Sequence, residues 1–374
     1  MNRVIEMFRG ERRARAFLLT YAQSSLGTGA AIVALFVIAF ERYPSPWAIT
    51  LVLLAYDLPP GLLGPFVGAL VDRVSRRWCV IAADLLRVGA FAGLAAVHGI
   101  EATVAFAFLA GAATALYRPA ALASLPSLVE PERLPAVTSI YGSLTDVGRT
   151  VGPALAAVAF PLVGGDGLML INAATFAISA VVLSTLSFGE VAGRVTVERP
   201  SFVSEVREGL RVATRGPLVR AVVITSSGVI LFASMLNVAE LPLAHTLGVG
   251  ASGFALLLTA QGIGVVAGSL SGARGGGLGD YRARYVAGAA AVALGLIAMN
   301  VLPWYAAVLV AFVVFGIGNG LLVVHERLMF QLAIPQRLMG RAFALLDALG
   351  AWGFVTAYLV AGATVSALGP RGAI

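Results

Sequence analysis

The sequence predicts an all-α integral membrane protein built from two helical bundles, and three observations carry that reading. Apolar runs of about eighteen residues or more recur along the whole chain. The 374 residues are 59% hydrophobic and 12% charged, with a mean hydropathy of +0.90, against roughly 45–50% and about 25% in soluble proteins. A polar stretch then divides the runs into six and five, and the halves echo one another.

Lipid offers no hydrogen-bond partner to the backbone, so each run is a helix. Eleven spans are read at 16–40, 47–70, 78–97, 102–123, 136–160, 167–188, 218–240, 251–272, 284–302, 304–324 and 341–366. The first run is too long, and lacks the small-residue cleavage site, for a removed signal peptide. Span 2 carries Asp57 beside Pro59 and Pro60, where the prolines would interrupt hydrogen bonding and open a polar cavity. The charged stretch "GALVDRVSRR" follows it. Span 3 carries Asp84 and Arg87, span 4 carries Arg118 near one end, and span 5 carries Asp146 and Arg149. Val191 to Gly216 is the long polar stretch; Phe202, Val203, Val206, Leu210 and Ala213 recur in it at helical spacing, which describes an amphipathic surface helix. The expected organisation is a first bundle over 1–190, a linker over 191–216 and a second bundle over 217–374.

The basic residues are all arginine, and they fall in alternate loops: Arg3 to Arg15 at the start, Arg73, Arg76 and Arg77 after span 2, Arg194 to Arg215 in the linker, then Arg274, Arg282, Arg284, Arg327 and Arg337. This bias predicts a cytoplasmic N-terminus in a bacterial-type inner membrane. It also reads the +7 net charge as topology rather than nucleic-acid binding. Arg42 and Arg371 run against it, and eleven spans leave the twelfth of an even architecture absent. Cys79 is the single cysteine and His98, His245 and His325 are scattered, so no disulfide, metal site or cofactor is expected.

Glycines repeat between the halves. Gly64 and Gly68 of span 2 echo Gly264 and Gly268 of span 8, and Asp146 and Gly152 of span 5 echo Asp347 and Gly353 of span 11. Against this background, "GALVDRVSRR" resembles the loop signature of the major facilitator superfamily. Gly68, Asp72, Arg73, Arg76 and Arg77 match, and Ser75 replaces a glycine. The likeness is nearest to the exporters of drugs, macrolides and siderophores, through Leu58-Pro59 with Pro65, "ADLLR", "INAATFAISA" and "MGRAFAL". "GRTVGPALAA", with Gly148, Gly152 and Pro153, resembles the antiporter motif of span 5, although Ala156 and Ala157 replace its last glycines. An arginine expected on span 4 of drug/proton antiporters is Ala107 here.

The resemblance implies a secondary transporter working by alternating access with protons as coupling ion, in the bilayer, as a monomer. Asp72 would then gate and the loop arginines would anchor topology. Asp57 is the proton-coupling candidate, or else a carboxylate paired with an arginine or capping a broken helix. Asp84, Arg87, Arg118, Asp146 and Arg149 are expected to form a charge network, with Asp347 receiving an arginine from the loop. Gln23, Tyr56, Asn237, Gln261, Asn319 and Trp352 are candidates for a substrate cavity, and Glu240 for attracting a cation or capping a helix. A membrane enzyme would need clustered His, Asp or Glu at one face, a channel a continuous polar lining, and an ATP-driven pump a P-loop; none is present. The alternatives are an inactive or truncated transporter paralogue and, behind it, a membrane-embedded enzyme.

Overall fold

A computed structural model describes residues 11–43, 45–188, 217–334 and 336–374, with side chains throughout except at 64–66, 68, 69, 72, 73, 336–348 and 351. The linker and its amphipathic helix lie outside the described residues. Ten helices are long and apolar enough to cross a membrane among them: α1 (Arg12–Arg42), α2 (Pro46–Arg73), α3 (Arg76–Ala96), α4 (Ile100–Ser124), α5 (Leu134–Thr185), α6 (Pro217–Thr246), α7 (Gly250–Ser269), α8 (Leu278–Val301), α9 (Tyr305–Ala333) and α10 (Gln336–Ala373).

Ten helices accommodate eleven predicted spans because α5 is two segments. Its 52 residues would extend about 78 Å at 1.5 Å per residue, more than twice the ~30 Å hydrocarbon core. The chain breaks at Gly164, with φ 66° and ψ −177°, a conformation open to glycine. The break falls between predicted spans 5 and 6.

The helices depart from expectation in three respects that bear on the site. α2 runs unbroken through Pro59 and Pro60, so the prolines do not open it. α9 continues to Ala333, nine residues past the predicted end at 324, and takes His325 and Glu326 into the helix. α10 reaches Ala373 rather than stopping at 366; its backbone turns at Gly369, φ 75°, and resumes through Pro370.

The chain divides into two compact units, Met1–Pro44 with Leu51–Val197, and Ser45–Thr50 with Glu198–Ile374. In the first, α1 lies along α5, and α3 packs on α4 and α5. A core of Phe17, Leu18, Tyr21, Val80, Tyr117, Tyr141 and Leu183 fills one end of it. In the second, α9 lies between α7 and α8, and α6 packs on α10.

Glycine seams set these contacts, since helices in lipid associate by close packing rather than by hydrophobic exclusion. A Cβ on Gly152 would stand 2.5 Å from the Gly29 Cα, and one on Gly148 2.6 Å from the Ser25 carbonyl. The antiporter-like motif, with Pro153 also buried, is thus the seam between α1 and the first segment of α5. A Cβ on Gly111 of α4 would run into the Tyr56 carbonyl and stand 3.1 Å from Pro59; one on Gly316 of α9 would likewise run into the Gln261 carbonyl and stand 3.0 Å from the Gly264 Cα. These matching contacts correct the register of the repeat: Gly264 answers to Pro59, not to Gly64.

Candidate functional site

The first unit buries an ion pair. Asp84 and Arg87 stand three apart on α3, a spacing that puts both side chains on one face. Arg87 Nη2 donates to Asp84 Oδ1, with Asp84 wholly buried and Arg87 nearly so. A charge in the bilayer costs several kcal/mol unless paired, and the pairing supplies that compensation. The Arg87 guanidinium also lies between two rings, 3.9 Å from the Tyr117 centroid and 4.1 Å from that of Phe176. That geometry stabilises a cation electrostatically.

Three elements position the sandwich. α4 supplies Tyr117; the second segment of α5 supplies Asn172, Phe176 and Ser179 from one face; Phe91 of α3 packs on Phe176 at 5.6 Å. Tyr21 of α1 stacks on Tyr141 at 4.1 Å and lies 6.1 Å from Tyr117, and its hydroxyl is 2.7 Å from Thr145 Oγ1. Arg87 is held on both faces, whereas Asp84 is held through one oxygen. Asp84 Oδ2, Arg87 Nε, Tyr117 Oη, Asn172 Nδ2 and Ser179 Oγ are buried without a hydrogen-bond partner. Ser179 and Arg87 nonetheless lie close enough to Asp84 and Tyr117, respectively, to interact with them.

The rest of the predicted charge network does not assemble around this pair. Arg118, Asp146 and Arg149 are exposed, and no ion pair joins Asp146 to Arg149 among the described residues. Exposed partners gain little from pairing after losing side-chain entropy. Asp57 is exposed and has a contact of its own; together with Arg87 and Arg149 it lies within electrostatic reach of Tyr56.

The arginines of the loop signature have a definite place. Arg76 Nη1 donates to the Ala123 carbonyl at 2.8 Å, and Arg77 Nη2 donates to that of Ser184. Both carbonyls lie in the last turn of a helix, α4 and α5, where acceptors are left over and the helix dipole favours a cation. The two arginines that break the charge bias do the same on the opposite side. Arg42 donates to the Val97 carbonyl at 2.6 Å, beyond the end of α3, and pairs with Asp166 at 2.5 Å. Arg371 donates to the carbonyls of Asn300 and Leu302 at the end of α8, at 2.9 and 3.0 Å. The side chains of Asp72, Arg73, Arg341 and Asp347 lie outside the described residues, and Gly68 carries none to describe.

Among the cavity candidates, Gln23 donates to the Thr175 carbonyl at 2.6 Å, tying α1 to α5. Asn237 donates to the Tyr358 hydroxyl at 3.4 Å. Tyr56, Gln261 and Asn319 are half-buried, and Trp352 is 64% exposed. Glu240 is not presented to a cation: it is 1% exposed, because the α6 turns from Ser234 to Ala244 are packed on nearly every side. Sequence reasoning missed the aromatic sandwich. Its one signal was the recurrence of Tyr and Phe at helical spacing, which core packing produces equally well.

Sequence and structure comparisons agree with this architecture. Residues 17–358 match the family model described as Major Facilitator Superfamily. The chain is 26% identical over 231 residues to "Uncharacterized MFS-type transporter YfiS" of Bacillus subtilis, covering 60% of this chain and 55% of that protein. It is 27% identical to "Macrolide efflux protein A" of Streptococcus pyogenes over 46% of this chain and 44% of the other. It is also 27% identical to "Multidrug efflux pump Tap" of Mycolicibacterium fortuitum over 57% and 55%. The matched stretches thus span about half the length of these curated relatives. The fold is similar to that of a bacterial homologue of the human lysosomal transporter Spinster, crystallised inward-facing and unoccupied. The TM-score is 0.73 at 15% identity, over 95% of this chain and 82% of that one. With helices of membrane length, glycine seams repeated in two units and a family model matched over most of its length, the chain belongs to the Major Facilitator Superfamily.

Proposed function

We propose that this protein exports an amphipathic small molecule, such as a drug, macrolide or siderophore, in exchange for protons by alternating access. The observation that carries this reading is that relatives matched in sequence include a macrolide efflux protein and a multidrug efflux pump. The likeness of "GRTVGPALAA" to the span 5 antiporter motif supports export as well, and its Gly148 and Gly152 leave room for α1 to pack backbone to backbone. The arginine bias favours a cytoplasmic N-terminus in a bacterial inner membrane, and the protein would act as a monomer on two bundles joined by the linker. Asp57, on α2 beside Tyr56, is the proton-coupling candidate of the first unit, and Asp72 the gating carboxylate.

The test uses everted membrane vesicles holding a respiration-driven proton gradient, challenged with erythromycin, ethidium and a catecholate siderophore. Collapse of the gradient on addition of one compound, in vesicles carrying the protein and not in control vesicles, supports antiport. If none collapses it, and none accumulates in the vesicles, the export reading fails. Asp57→Asn should abolish the substrate-dependent proton release; release at the wild-type rate removes Asp57 from the proton path.

A further inference from the structure

We propose that the second unit contains a proton-binding site of its own, centred on Glu326 and served by a chain of hydroxyls from two other helices. The site is absent from the sequence reading because the predicted span 10 ended two residues before it. α9 carries Glu326 into the unit, where Ser226 of α6 donates to its Oε2. Ser226 Oγ lies 3.0 Å from the hydroxyl of Tyr285 on α8. That hydroxyl lies in turn 3.4 Å from the Val222 carbonyl, one turn before Ser226. Ser226 and Tyr285 are buried, Glu326 half-buried. Glu326 has a further contact as well.

The chain has two polarities. With Glu326 ionised, Tyr285 donates to Ser226 and Ser226 to the carboxylate. When Glu326 gains a proton, its O–H donates to Ser226, Ser226 turns its hydrogen to Tyr285, and the Tyr285 hydrogen turns to the Val222 carbonyl. One proton is taken up, every hydroxyl keeps an acceptor, and only hydrogens rotate. The long Tyr285–Val222 link is what the second polarity uses. A carboxylate held only by a structural bond would need no such onward acceptor.

The neighbouring residue points the same way. His325 is fully buried, and its Nδ1 lies 2.8 Å from the Leu321 carbonyl. A carbonyl only accepts, so Nδ1 carries the hydrogen. Nε2 of the neutral ring is then a bare acceptor, and it is buried with no partner, while the Tyr281 ring lies 5.8 Å away. Two proton acceptors therefore stand on consecutive residues, facing Tyr281 and Tyr285, one turn apart on α8. Of the other ionisable groups on the packed helices, Glu240 is buried without a partner on its Oε2 but stands fourteen residues beyond Ser226 on α6, about 21 Å along the helix, and His245 of the same helix is exposed. Asp280 accepts from the Gly277 amide, and Arg284 donates to the Ser271 and Gly275 carbonyls. Arg220, Arg282 and Arg327 are exposed. α7 brings no ionisable residue, and the side chains of Arg341 and Asp347 on α10 lie outside the described residues.

The inference rests on the proton-antiport reading and adds a group to it, so its test has a readout independent of transport. Infrared difference spectra between low and high pH would be taken on the purified full chain in nanodiscs, for wild type, Glu326→Gln, Ser226→Ala, Tyr285→Phe and Asp57→Asn. Each would first be checked for a monodisperse elution profile. Among the protonated-carboxyl C=O bands of the wild type, one should be lost in Glu326→Gln and kept in full in Asp57→Asn. Ser226→Ala and Tyr285→Phe should keep the band and move its midpoint by about one pH unit, since each removes a hydrogen bond of the chain. A band unchanged in Glu326→Gln, or a midpoint unmoved in both hydroxyl variants, overturns the proposal. If vesicles show no antiport while the band titrates as expected, the transport reading fails and the site stands. If antiport occurs and Glu326→Gln keeps its rate and pH profile, Glu326 is removed from coupling.

Discussion

The two units hold their intramembrane carboxylates by different means. In the first, Asp84 faces a guanidinium pinned between Tyr117 and Phe176; in the second, Glu326 stands at the end of a run of hydroxyls. An arginine offers a fixed charge and no lone pair, so it stabilises an ionised partner and cannot pass a proton on. A hydroxyl both donates and accepts, so it serves either form of the carboxyl. The repeat has therefore kept the backbone scaffold in both units and placed different chemistry on it. The seams differ too. A Cβ on Gly152 would meet the Gly29 backbone, whereas one on Gly353 would meet only the side chain of Ile230, at 2.9 Å.

The strongest way to break this comparison is to remove one member of the buried pair. Asp84→Ala should destabilise the protein by about 3–5 kcal/mol, because it leaves an uncompensated buried charge, whereas Asp84→Leu combined with Arg87→Met should recover most of that loss. Thermal unfolding of the purified variants measures both. A loss below about 1 kcal/mol in the single variant would mean that Arg87 is satisfied by the rings alone.

The seams come next. Gly152→Val forces a side chain into backbone and should cost about 1–3 kcal/mol or prevent insertion. Gly353→Val displaces only the end of Ile230 and should cost less. Equal losses in a stability assay would refute the claim that the first seam is the tighter one.

Glu240 sharpens the comparison from the other side. Its Oε2 is buried without a partner, so Glu240→Met should leave stability unchanged or raise it. A more stable variant that no longer transports would mark Glu240 as retained for function. A clear loss of stability would show that the carboxyl is structurally bound.

The smallest expected effects belong to the arginine caps. Arg42→Gln and Arg371→Gln should each cost about 1 kcal/mol. Amide exchange should accelerate at the ends of α3 and α8 respectively and remain unchanged elsewhere.

Much of this was legible in the residues. Alternating apolar runs and arginine-rich loops predict membrane helices because lipid leaves the backbone no other choice, and the i,i+3 spacing of Asp84 and Arg87 predicts their pairing. The same spacing failed for Asp146 and Arg149, since whether two side chains pair depends on burial, and spacing carries no burial. The echo of Gly64 with Gly264 failed because a four-residue glycine rhythm has several registers. Only the helix on the far side of the seam selects one.

The sequence by itself determined that the chain is helical, spans the membrane repeatedly, and carries the loop and span 5 signatures of its family. These properties follow from local composition and periodicity. Tertiary structure alone decided that Arg76, Arg77, Arg42 and Arg371 cap helix ends remote in sequence, that rings from α4 and α5 enclose Arg87, and that Glu326 lies inside a unit rather than in a loop. Each of these depends on which carbonyl, ring or hydroxyl another helix brings within about 3–4 Å, and that proximity is created only when the helices pack.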